Sequence, residues 1–431
     1  MENSKVLIQG GRLIDPSQNL DGPMDLLIED GKVREIGKNL KAQGAKIISA
    51  QDRWVTPGFI DLHVHLRTPG QEHKETIETG SRAALKGGFT SVCTMANTDP
   101  VVDTAAIVEY IKSQNAKVGL VNLFPYAAVT LGLKGQTLTE MGRLKESGVR
   151  GFSDDGMPIT NAGVMRRALE YTRLTELPVI SHCEETSLMD HGVMNEGETA
   201  ARLGLSGIPS ESETVMIARD LLLAQATHGR LHIAHVSTAE GVRLIREAKS
   251  KGVAVTAEVT PHHLTLTDEA LGTYDSRFKM NPPLRTHSDV EALRKGLQDG
   301  TLDAVATDHA PHATHEKEVD LAHAPFGVVG LETALGVLLT ELVHRGVVER
   351  AALIASLTIR PAKVVGIDRG SLKVGKAADV TVIDPEASWT VEAGSFASKG
   401  TYSPFLGWRL KGQVTHVLVS GKLVFEEKKG E

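Results

Sequence analysis

The sequence predicts an α/β fold, a (β/α)8 TIM barrel with a small discontinuous β-sandwich domain formed by both termini. Three observations carry this reading. Eight apolar strand-like runs alternate with helix-like stretches through the middle of the chain. Short β-rich runs with hairpin-type turns stand at both ends. Residues that ligate metals close five of the eight central runs.

At the start, "SKVLIQGGRLIDP" and "MDLLIEDGKVREIG" are β-rich runs broken at Gly10-Gly11 and Asp30-Gly31, the residue pairs that tight hairpins require. Near the other end, "AADVTVID" and "THVLVSGKLVFE" repeat the pattern. Strands from both ends pair into one sandwich, so 1–56 and 367–431 flank a barrel at 57–366. Within the barrel the runs are "FIDLHVH", "TSVCTMA", "VGLVNLFPY", "VRGFSDD", "LPVISHCE", "RLHIAHVS", "VAVTAEVTP" and "LDAVATDHAP". Between them, 161–174 is helix-like, with Val164, Ala168, Leu169 and Thr172 at three- and four-residue steps. "GSLKVGKA" follows the spacing of a phosphate-binding loop up to Lys376. Ala377 then stands where a hydroxyl would hold magnesium, and a β-type run follows, so the stretch reads as a turn.

Composition narrows the class. The 431 residues, 41% hydrophobic and 23% charged, are those of an ordinary soluble protein. A net charge of −7 argues against a nucleic-acid-binding surface. No run approaches the ~18 apolar residues of a membrane span, and the first residues lack the apolar core of a signal peptide. Cys93 and Cys183 cannot make a disulfide framework. A cytoplasmic enzyme is the expectation.

The chemistry gathers at the ends of the runs. His63 and His65 close the first, Asp155 the fourth, His182 the fifth, His235 the sixth and Asp308 the eighth. In such a barrel those ends converge on one face, where active sites are built. Residues at i and i+2 share a strand face, so His63 and His65 both reach the axis. Burying so many imidazoles and carboxylates calls for a cation. Nitrogen and carboxylate ligands without thiolates suit zinc, and manganese or cobalt fit the same cage. Cys183, next to His182, faces the other way into the core. His232 and His235 lie on opposite faces, and spacing alone does not choose between them. Water on such an ion has a pKa of roughly 7, and Asp308 is placed to take and return a proton. No G-x-S-x-G elbow offers a nucleophilic serine. Metal-assisted hydrolysis, or its reverse, follows.

Taken together, "PGFIDLHVHLRTPG", "GFTSVCTMANTDP", "GFSDDG", "SHCEE", "IAHVS", "VTPHHL", "KMNPPLR" and "DAVATDHAPH" resemble the dihydroorotase family of the amidohydrolase superfamily, in its type I bacterial form. The resemblance implies reversible cyclisation of N-carbamoyl-L-aspartate to L-dihydroorotate in pyrimidine synthesis. It implies one or two zinc ions per subunit, His63, His65 and Asp308 on the first and His182 and His235 on the second. Many relatives bridge the ions with a carbamylated lysine; here the fourth run carries none, and the resemblance places Asp155 rather than Asp154 as the bridge. Arg67, Asn97 and His312 resemble the groups that bind the substrate's α-carboxylate, and Asn281 the one that contacts the ring. The stretch 309–327 would be a mobile loop over the site. A homo-oligomer and a complex with aspartate transcarbamoylase are further implications. Two alternatives stand beside this reading: a hydrolase of hydantoin, dihydropyrimidine or allantoin, and a non-catalytic scaffold for the transcarbamoylase.

Overall fold

The computed structural model describes residues 5–427; the outer tips of the flanking segments predicted at 1–56 and 367–431, residues 1–4 and 428–431, lie outside the described residues. Strands from both ends of the chain share one mixed sheet. Its order is Lys422–Glu426, Arg409–Val419, Val380–Thr390, Trp54–Pro57, Lys5–Asp15, Leu20–Glu29 and Lys32–Gly37, with Lys46–Ser49 parallel to Lys5–Asp15. The strands of the expected sandwich thus belong to one continuous hydrogen-bonded sheet. Bulges within Lys5–Asp15, Val380–Thr390 and Arg409–Val419 bend and twist it. Its far end returns to the chain before Val380, where Lys32 bridges Ala377 and Val33 donates its N–H to the Lys376 carbonyl at 2.9 Å. The core so enclosed holds Ile8, Leu26, Val33, Val55, Val380 and Leu418.

Gly10-Gly11 is not the expected hairpin turn. Gly10, at φ +76°, forms a bulge inside a single strand, and the chain reverses later, at Pro16–Gln18, where the Asp15 carboxylate accepts from Ser17 N at 2.9 Å. Asp30-Gly31 does make its turn, with both residues at positive φ. "GSLKVGKA" is the turn expected of it, with Gly375 N bonded to the Val33 carbonyl.

Trp54–Pro57 runs into the central strand Phe59–Val64 through Gly58 alone. A Cβ on Gly58 would lie 2.2 Å from Thr90 Oγ1, so only glycine lets the two strands join here. Phe59–Val64, Phe89–Thr94 and Asn122–Pro125 pair in parallel, as do Val179–Ser181, Leu231–Ile233, Val255–Val259 and Ala304–Val305. Parallel bridges of Phe152 to Ala127 and Val179, and of Val64 to His309, join the two groups. The fourth predicted strand is reduced to that one residue, Phe152. Two residues on, the Asp154 carboxylate accepts from the backbone donors Val129 N (2.7 Å) and Thr130 N (3.1 Å). The helix expected at 161–174 is Ala162–Thr175, capped by Asn161 and burying Val164, Ala168, Leu169 and Thr172. Among the described residues no helix is long and apolar enough to cross a membrane.

Candidate metal centre

The apolar strand Phe59–Val64 delivers His63 by strict alternation. The buried Asp61 carboxylate, also on this strand, accepts from His63 N (3.0 Å) and from Thr307 N (3.1 Å), fastening the first strand to the segment after the eighth. Burial pushes Asp61 up to about 6. His65 follows two residues after His63 on the same face. His63, His65, Asp155, His182, His235 and Asp308 come together, all buried. Three residues of the site's face, Arg67 (φ +56°), His235 (+31°) and Asp308 (+48°), hold left-handed backbone that non-glycine residues adopt at a cost.

Two sets of three donors each fit within 4.8 Å among the described residues: His63, His65 and Asp308, and His63, Asp155 and His235. Asp308 Oδ1 stands 3.2 Å from His65 Nε2 and 3.4 Å from His63 Nε2. Asp155 reaches both imidazoles with its two oxygens, Oδ1 to His63 Nε2 and Oδ2 to His65 Nε2, each at 3.4 Å. Ligand atoms roughly 2.0–2.1 Å from a tetrahedral zinc lie about 3.3–3.4 Å apart, which is the spacing found here. His182 flanks the second set, its Nδ1 3.5 Å from Asp155 Oδ1 and 2.9 Å from His235 Nε2. His63 Nε2, Asp155 Oδ1, His182 Nε2 and His235 Nδ1 are buried without a hydrogen-bond partner. Each such atom costs about 1–3 kcal/mol, and a cation at the centre relieves the cost. The donor set fits a metal ion.

The protein's own charges are strongly coupled here. Burial opposes ionisation of Asp155 and Asp308, but His63 leads the imidazoles that hold both carboxyls well below their usual range. In return Asp155 and Asp308 raise His63 in spite of its burial.

The fold shows which side chain of each pair faces the centre. Asp155 faces the centre while Asp154 points to the backbone of 129–130. His235 faces the centre, and His232 turns to Glu258 Oε2 (3.0 Å) and Thr256 Oγ1 (2.8 Å). Cys183 is buried beside Ser181 and Asp220, away from the ligands.

The expected substrate contacts lie at the rim. Arg67 donates from Nε to the Pro311 carbonyl at 3.2 Å. Asn97 faces the ligands: its Oδ1 accepts from His65 Nδ1 (3.0 Å) and its Nδ2 reaches the Asp155 carbonyl (3.3 Å). Asn281 donates to Glu184 Oε1 (2.7 Å), and Glu184 Oε2 lies 3.6 Å from His182 Nε2. His312 donates from Nε2 to the Phe326 carbonyl (2.8 Å), leaving Nδ1 buried without a partner.

Sequence reasoning missed two carboxylates. Glu258 is 1% exposed, and its Oε1 accepts from His63 Nδ1 at 3.0 Å while Oε2 serves His232. His232 and His63, against the pull of burial, hold Glu258 down to about 2. Its signal was a lone charge inside the apolar run "VAVTAEVTP". Glu184 was the other, inside the quoted "SHCEE". Glu258 fixes the His63 tautomer that presents Nε2 to the centre.

Comparison with known proteins agrees with this geometry. A family model described as dihydro-orotase-like matches residues 52–241. The dihydroorotase of Pelotomaculum thermopropionicum is 52% identical over 98% of this chain and 99% of its own. That of Geobacter metallireducens is 53% identical over 98% and 99%. Among solved structures, the L-hydantoinase of Arthrobacter aurescens superposes with a TM-score of 0.88 at 26% identity, over 99% of this chain and 97% of that one. The D-hydantoinase of a Thermus species gives 0.82 at 26% identity, over 97% and 94%.

Proposed function

This chain belongs to the dihydroorotase family, and from that premise we propose how its residues divide the reversible cyclisation of N-carbamoyl-L-aspartate to L-dihydroorotate in pyrimidine biosynthesis. The observation that carries the assignment is a buried cluster of four histidines and two aspartates with an arginine at its rim. We read 57–366 as a closed (β/α)8 barrel and 1–56 with 367–431 as the smaller domain. The parallel bridges at Phe152 and His309 support closure. The metal is zinc, one or two ions. A cytoplasmic location, a homo-oligomer and association with aspartate transcarbamoylase belong to the same proposal.

A zinc ion in this cage supplies a nucleophilic water at neutral pH and Lewis-acid polarisation of the amide carbonyl. His63, His65 and Asp308 would hold one ion and His182 and His235 a second, with Asp155 beside both sets. Asp308 turns Oδ1 to the two imidazoles, which leaves Oδ2 to move a proton. In ring opening Asp308 takes the proton of the attacking water and delivers it to the leaving ring nitrogen. In cyclisation it accepts the amide proton as the nitrogen attacks the side-chain carboxyl carbon, and returns it to the oxygen that leaves as water. Arg67 grips the α-carboxylate with its planar fork. Asn97 Nδ2, whose bond to Asp155 is long, joins it, as does His312 when its ring carries a proton at Nδ1 as well as Nε2, and Asn281 meets the ring.

The test is ring opening by metal-stripped and zinc-restored protein. L-Dihydroorotate opened only with zinc, and dihydrouracil and hydantoin left intact, is the expected result. Opening of the uncharged rings alone would overturn the carboxylate pocket, and silence on all three with zinc bound would favour the scaffold reading.

A further inference from the structure

Beneath the stretch that carries His312 lies a lysine with no part in the chemistry above. Lys317 ends the short helix Thr314–Lys317 and is 1% exposed. Its Nζ donates to the carbonyls of Pro325 (2.9 Å), Gly327 (3.0 Å) and Lys279 (3.4 Å). Among the described residues it makes no ion pair within 4.0 Å. A buried ammonium held only by neutral carbonyls is costly. Burial, with Lys279 adding to it, pushes Lys317 down to about 7. Such a cost calls for a return elsewhere.

The three carbonyls show where the return lies. Pro325 and Gly327 flank Phe326, whose carbonyl takes the His312 Nε2 proton. Lys317 thus clamps the outer two peptides of a tripeptide whose middle carbonyl orients His312. The packing is close, since a Cβ on Gly327 would lie 3.0 Å from His312 Nε2. The third carbonyl, of Lys279, stands two residues before Asn281. Lys279 reciprocates: its Nζ donates to the carbonyls of Leu321 (2.7 Å) and Ala322 (3.0 Å) and sits 4.7 Å from the Phe326 ring centroid. The segment 309–327, expected from the family resemblance to be mobile, is pinned at both arms to the segment leading to Asn281.

We propose that Lys317 is a positioning residue for substrate binding, its ammonium clamping 325–327 and the carbonyl of residue 279 so that His312 and Asn281 meet the substrate in register. This rests on the reading of His312 as a carboxylate contact. Among the described residues Lys317 bonds only to the carbonyls of 279, 325 and 327 and to none of the metal-donor residues, so its loss acts on binding and leaves the reacting groups in place.

The experiment measures ring opening of L-dihydroorotate by Lys317→Met, His312→Ala and the double variant, with bound zinc and thermal melting recorded for each. Lys317→Leu, which likewise offers the carbonyls no donor, replaces the Met variant if that one fails to fold. Displacing a positioned group by about 1 Å costs up to roughly 100-fold in rate. The expected result is a KM raised about tenfold or more in Lys317→Met, with kcat and zinc content held within about twofold. The double variant should then be worse than His312→Ala by less than the full Lys317→Met effect, because the two changes share the His312 contact and differ only in the register of Asn281. An unchanged KM in Lys317→Met, beside a raised KM in His312→Ala, overturns the proposal alone. So does a fall in kcat and zinc content that adds fully to the His312→Ala effect. An unchanged KM in His312→Ala instead removes the carboxylate role of His312, and the proposal with it.

Discussion

Replacing Glu258 by glutamine keeps the shape of the side chain and removes its charge. The parent carboxylate accepts from His63 Nδ1 and His232 Nε2, both at 3.0 Å. An amide can accept only one of these bonds, so its NH2 must face one of the rings. His232 can receive it by exchanging tautomers, since Thr256 Oγ1 on its other nitrogen both donates and accepts. The bond to His63 therefore survives, without the negative charge that strengthens that ring as a ligand. Loss of such a partner costs about 10–100-fold in metal affinity, or about 1.4–2.8 kcal/mol. Glu258→Leu leaves both ring N–H groups buried and unpaired, each worth about 1–3 kcal/mol of stability. Competition for zinc against a chromogenic chelator reads the first effect, and urea unfolding of the metal-free protein reads the second. Parent-like zinc affinity in Glu258→Gln together with parent-like stability in Glu258→Leu would refute the reasoning.

Asp308→Asn should lose nearly all turnover in both directions while keeping most of its zinc, because the amide still offers an oxygen near His65 but moves no proton; steady-state assays with metal analysis decide, and retained activity removes the proton-transfer role. Arg67→Lys keeps the charge and loses the planar fork, so KM for L-dihydroorotate should rise about tenfold or more with kcat little changed; a parent-like KM would take Arg67 out of the carboxylate pocket. Removing the metal should lower the melting temperature, since an ion present at 1,000 times its Kd contributes about 4 kcal/mol; calorimetry with chelator and then with restored zinc reads it, and an unmoved transition would mean that the cage is held by something else.

The parts of the site legible in the sequence are those that local periodicity controls. Alternation along the first strand puts His63 and His65 on one face, whereas Asp154 and Asp155 part beyond Phe152, where the strand has ended. Glu258 was not legible, because its meaning depends on His63, 195 positions away in the chain. Lys317 was still more hidden: in "ATHEKEVD" it reads as one charge of a solvated helix, and only the path of the loop turns it inward. The fold divides in the same way. The parallel strands and the helix at 161–174 follow from periods of 2 and 3.6 residues. The curl of the terminal sheet does not, because it arises from bulges, and a Gly-Gly pair reads alike as a bulge or a turn.

The join at Gly58 also sets an order of events during synthesis. Trp54–Pro57, which runs straight into the strand bearing His63, is held on one side by Val380–Ile383. That partner leaves the ribosome roughly 15–60 s later, at about 5–20 residues per second. Until then the strand that leads to His63 has one open edge and is held on the other side alone, by Lys5–Asp15. The nascent chain thus carries its histidines for most of its synthesis without a finished cage. The strand Val380–Thr390, made after every residue of the cage, closes the edge of the stem on which His63 stands.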